Sequence, residues 1–168
     1  MKKQFTKIFI SISLAIISLA FAQQEITTVA ELERLAPLGG EYRLAAGTYE
    51  LSEPLLLTKG LTLLGAGKDK TIVTGSSPLY VISIESNDNF KLDGISFEYT
   101  GSEGSEVVQI KDASFEITNT SVSGGVFAET EDFWYGDGLW LYGNAKGTVS
   151  NSSFSNNALN AIALNENA

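Results

Sequence analysis

Between Glu129 and Trp140 the chain gathers four carboxylates, Glu129, Glu131, Asp132 and Asp137, and four aromatic rings, Phe133, Trp134, Tyr135 and Trp140. Aromatic faces can stack on sugar rings, and carboxylates can accept from sugar hydroxyls or ligate a hard cation such as calcium. Trp134, Tyr135, Trp140, Asp132 and Asp137 are therefore the candidate ligand-binding residues. The competing reading is structural: the rings fold back to cover the protein's own wall, and the acids are simply solvated. Glu131 and Asp132 are adjacent, but an acid/base pair is defined by its separation across a reacting bond, so no residue is assigned a catalytic role.

What the chain lacks narrows the chemistry. With no histidine and no cysteine, Ser-His-Asp and Cys-His catalysis, His-ligated zinc and disulfide bonding are excluded. No cofactor is evident, and calcium is the one that the acidic cluster could take. The formal net charge is −9; removing residues 1–22 takes Lys2, Lys3 and Lys7 and no acid, which leaves −12. That charge argues against nucleic acid as a partner, because phosphates need basic contacts.

Those three lysines, the apolar run Ile8 to Ala20 and the small-x-small triplet Ala20-Phe21-Ala22 form a secretory signal-peptide pattern, with cleavage expected after Ala22. The run is too short to span a bilayer comfortably, and no later stretch reads as a transmembrane anchor. A secreted, periplasmic or cell-surface location is the expectation. The mature residues suit one domain, with residues 23–40 as an N-terminal capping-helix segment and residues 41–168 as the repeat region. Thr28-Val29-Ala30-Glu31 is a capping-box pattern; Val29, Leu32, Leu35 and Ala36 share one helical face, and Pro37 and Gly39-Gly40 end it.

After Gly40 the chain reads as short strands, and the strands repeat. Leu55-Leu56-Leu57, Ile82-Ser83-Ile84, Val108-Gln109-Ile110, Leu139-Trp140-Leu141 and Ile162-Ala163-Leu164 recur in order. Interleaved with them are Leu63-Leu64-Gly65, Leu92-Asp93-Gly94, Ile117-Thr118-Asn119 and Val149-Ser150-Asn151. A solenoid requires such phased recurrence because each coil stacks on an equivalent one. In the first series the outer residues of each triplet point into a core and the middle one, including Trp140, points out. The second series ends on Gly or Asn, the residues that enter the left-handed conformation most cheaply, so a repeated corner is expected there. A third strand follows each corner, as in Ile95-Ser96-Phe97. The sequons at Asn119 and Asn151 fall in this corner column and read as structural. One long step interrupts both series, an insertion near residues 125–137, and long loops on rigid scaffolds often carry function.

Gly39-Gly40-Glu41-Tyr42-Arg43-Leu44 with Lys59-Gly60-Leu61-Thr62-Leu63-Leu64-Gly65-Ala66-Gly67, and later Val149-Ser150-Asn151-Ser152-Ser153-Phe154, resemble the coils of exported bacterial right-handed parallel β-helix, or pectin-lyase-like, proteins. The resemblance covers about residues 28–168. It implies an all-β, right-handed parallel β-helix solenoid of about five coils with a short N-terminal capping helix. It carries no complete lyase, hydrolase or esterase motif: there is no Arg after Arg43 and no histidine. Asp132-Phe133-Trp134-Tyr135-Gly136 resembles a pectin methylesterase motif without its partner motifs.

Residues 158–168 look like the start of another coil with no cap after it, so the β-helix is expected to be the N-terminal part of a longer one, or to have its end covered by a partner or by self-association. Two functions stay open. One is binding, or helping to process, a polysaccharide or cell-surface glycan along the coil wall. The other is a structural surface solenoid, an adhesin or spacer without catalysis.

Overall fold

A computed structural model describes residues 23–131 and 133–165; the signal-peptide pattern, Asp132 and the last three residues lie outside them. The first coil contains β1 (Gln24–Ile26), helix α1 (Val29–Leu35), β2 (Gly40–Leu44), β3 (Gly47–Leu51) and β4 (Leu55–Leu57). The second has β5 (Leu61–Leu64), β6 (Thr71–Gly75) and β7 (Ile82–Glu85), and the third β8 (Asn89–Asp93), β9 (Ser96–Tyr99) and β10 (Val108–Lys111). The fourth has β11 (Ser114–Thr118), β12 (Ser121–Ser123), an inserted hairpin of β13 (Ala128–Glu129) and β14 (Trp134–Tyr135), and then β15 (Leu139–Tyr142). The fifth has β16 (Lys146–Ser150), β17 (Ser153–Ser155) and β18 (Ile162–Asn165).

Equivalent strands stack in parallel into three sheets, ordered β1-β2-β5-β8-β11-β16, β4-β7-β10-β15-β18 and β3-β6-β9-β12-β17. The architecture is an all-β parallel solenoid of about five coils with one short helix. Strand β1 lies inside the segment expected to be only a capping helix, and it pairs with β2 at Gln24↔Tyr42. Helix α1 forms as expected: Thr28 Oγ1 accepts from Glu31 N, and the Glu31 carboxylate accepts from Thr28 N. Leu32 and Leu35 of the helix are buried in the common core.

The registers reproduce the sequence repeats. Leu55, Ile82, Val108, Leu139 and Ile162 form one inward column, and Leu63, Leu92, Ile117 and Val149 another. Inward side chains stack on their equivalents one coil away, so each column must be apolar in every coil. Burial falls off in the fifth coil, where Leu164 is 62% exposed. Within residues 158–165, β18 pairs in parallel with β15.

The corner column is partly as expected. Gly94, Asn119 and Asn151 have φ of 68°, 50° and 50°. Gly65 does not have positive φ; a Cβ there would run into the Gly94 carbonyl oxygen and sit 2.8 Å from Ile95 Cγ1, so close approach explains this glycine. The asparagines do not form a ladder with each other: Asn119 Nδ2 donates to Asp93 Oδ1 at 2.9 Å.

Candidate functional site

Two walls form the site: the outer face of the β4-β7-β10-β15-β18 sheet and the hairpin inserted before β15. In the hairpin Ala128 faces Tyr135 and Glu129 faces Trp134. Its tip is closed by Thr130, whose N–H donates to Phe133 O at 2.8 Å and whose hydroxyl accepts from Phe133 N at 3.0 Å. This satisfies the turn's backbone locally, as short hydroxyl side chains commonly do. At the base of the hairpin, Val126 pairs with Ser105 of the preceding coil, and Leu159 N donates to Gly136 O at 3.0 Å.

The aromatic rings divide between the two readings. Phe133 folds back: its ring lies 4.5 Å from Trp140 and 4.7 Å from Tyr135. Trp140 points outward as expected and stacks on Tyr142, two residues along the same strand face, at 4.1 Å with an interplanar angle of 10°. With its amide oriented to satisfy both groups, Asn165 accepts from Trp140 Nε1 at 3.2 Å. Trp134 does not fold back. It is 61% exposed, and its Nε1 donates to Glu129 Oε1 at 3.1 Å. Between hairpin and wall lies a cleft of about 570 Å³, lined by Trp134, Trp140, Glu129, Glu131 and Asp137 among others. The structure thus brings Trp134, Trp140 and Asp137 to one cleft. Tyr135 packs on Phe133 and is not among its lining residues.

Asp137, one of the candidate ligand-binding residues, is buried, 5% exposed. Its Oδ1 accepts from both Asn160 N and Asn160 Nδ2 at 2.8 Å. Beneath it lies Glu106 from the previous coil, 1% exposed, whose Oε2 accepts from Asp137 N at 2.7 Å. Burial first, and then the Asp137 charge, push the Glu106 carboxyl up to about 8, against the two backbone N–H groups of Asp137 and Gly136 that favour its charged form. Sequence reasoning missed Glu106. It sits in a connection that carries no chemistry-like spacing, and only stacking brings it under Asp137.

Farther along the wall, Ser83 and Gln109, which the alternation placed outward, do point out but are buried. A polar network covers them: Gln109 Nε2 donates to Ser83 Oγ at 3.1 Å and to Tyr142 OH at 3.0 Å, and Tyr142 OH donates to Glu85 Oε1 at 3.3 Å. Lys111 Nζ is 3.9 Å from Glu85 Oε2 and 5.5 Å from the centre of the Tyr142 ring. Burial and then the Glu85 carboxylate raise the Tyr142 phenol to about 12. In a spectrophotometric titration one phenol should ionise near that value, and Glu85→Gln should bring it down toward 10. An unchanged titration would show that the carboxylate does not act on this phenol.

Among the described residues no three or more acidic side chains come together as a metal-binding group. The same residues include no helix long and apolar enough to cross a membrane. Neither protein-family models nor curated protein sequences give a match to the chain.

Proposed function

We propose that the chain is an extracytoplasmic, pectin-lyase-like β-helix protein that binds carbohydrate along its coil wall, in the cleft between the hairpin and β15. The observation that carries this reading is Trp134. Its ring is held open to solvent at the rim of a cleft, where its face offers a surface on which a sugar ring can stack. Glu129 fixes the ring's orientation through the indole N–H, so little side-chain entropy is lost when a sugar stacks on its face. Asp137, Asn160 and Asn165 line the same cleft and are of the polar types that read sugar hydroxyls. The exported location is supported by the sequence of residues 1–22 and by the family resemblance, and any processing of the bound glycan would draw on groups not yet assigned.

The test is retention in affinity electrophoresis through gels containing plant, bacterial and animal polysaccharides. Trp134→Ala should weaken retention by about thirtyfold, the loss typical of a central aromatic anchor. It should leave the melting temperature unchanged, since the side chain is mostly exposed. Trp140→Ala should also reduce retention, by removing the ring on which Phe133 rests. Retention that is absent from the wild type, or unaffected by both variants, would leave the structural surface solenoid as the function.

A further inference from the structure

The charge that lines the cleft between the hairpin and β15 is of one sign. Three carboxylate residues, Glu129, Glu131 and Asp137, line it, and no lysine or arginine does. Lys111, on the same outer wall, is engaged with Glu85 and with the Tyr142 ring. Asp137 is 5% exposed. Its Oδ1 accepts from both Asn160 N and Asn160 Nδ2. At the rim, the hydrogen bond from Trp134 Nε1 to Glu129 Oε1 holds a carboxylate at the edge of an indole whose face is free.

An indole face flanked by carboxylates attracts a cation twice, through the ring quadrupole and through the opposite charges. A uronic acid in the same place meets like charges, which select against wrong partners more strongly than attraction selects for right ones. A neutral sugar gains only the stacking. We propose that this cleft prefers glycans bearing free, protonated amino groups, of the polyglucosamine class, over N-acetylated, neutral or uronic-acid glycans. This rests on the carbohydrate-binding reading above and assigns its ligand class.

The test compares glucosamine oligomers with their fully N-acetylated counterparts of equal length, since acetylation removes the charge and keeps the ring. Dissociation constants are measured on the full chain at low ionic strength, buffered below the pKa of the sugar amine. The free-amine oligomer should bind at least about tenfold more tightly than the acetylated one, with the gap narrowing as salt screens the carboxylates. Glu129→Gln combined with Glu131→Gln should narrow that gap, weakening the free-amine oligomer more than the acetylated one, because two of the three cleft carboxylates lose their charge while glutamine can still accept from the Trp134 indole. Trp134→Ala should weaken both oligomers.

Equal binding of the two oligomers, both lost in Trp134→Ala, would overturn this inference and leave carbohydrate binding intact. Tighter binding of an oligogalacturonate would do the same. Binding of oligolysine as tight as that of the amine oligomer, and indifferent to Trp134→Ala, would overturn it by showing charge attraction without sugar recognition. If no glycan binds, the underlying reading falls with it.

Discussion

Glu106→Gln is expected to abolish a fall in stability that the wild-type chain shows as pH rises from about 4.5 to about 8. In the unfolded chain this carboxyl titrates at its ordinary value of 4.5, and in the folded chain at about 8. Between the two values the folded chain keeps a proton that the unfolded chain has released, so raising the pH favours unfolding. The contribution is fully present below the lower value and is lost by the upper one. Integrated across the window it amounts to roughly 5 kcal/mol at most. The check is urea unfolding of both proteins at a series of pH values. The difference between the two free energies at each pH reports on the Glu106 carboxyl. Glutamine is uncharged throughout and can keep the hydrogen bond from Asp137 N through its amide oxygen. Curves that stay parallel across the window would show that Glu106 is ionised in the folded protein.

A second large effect is expected in the core. Phe97 is 1% exposed and stacks between Val73 one coil below and Val122 one coil above. Phe97→Ala opens a cavity with neighbours on both sides along the solenoid axis, where the backbone ladders hold the coils at fixed spacing and limit collapse. The expected cost is about 4 kcal/mol. Phe154 occupies the same column next to Val122, but in the fifth coil, and is only partly buried. Phe154→Ala should therefore cost less than half as much, since part of its surface already faces water. Denaturant midpoints of the two variants, at unchanged slope, provide the comparison. Equal losses would mean that the fifth coil is as well packed as the third.

The two predictions differ in how far the sequence foretold them. Phe97 was legible: it ends the short strand after a corner residue, and its equivalents Val122 and Phe154 follow in phase. Glu106 was not, because nothing near it in the chain marks it, and its partner Asp137 lies in another coil.

That contrast has a physical basis. By itself the sequence determined the coil period, the inward columns, the corner positions at Gly94, Asn119 and Asn151, the capped helix at Val29–Leu35 and the position of the insertion. Each of these is a condition repeated in every coil or satisfied by residues a few positions apart, so it leaves a pattern along the chain. The tertiary structure decided what the insertion does: Phe133 turns back onto Trp140, Trp134 stays open beside Glu129, and Asp137 is drawn down over Glu106. It also decided that Ser83 and Gln109, outward by alternation, are buried under the Tyr142 network. These are single contacts between segments 5 to 57 residues apart, made once rather than in each coil. Burial and pKa there depend on which side chain lands on which, and that is settled only when the coils stack.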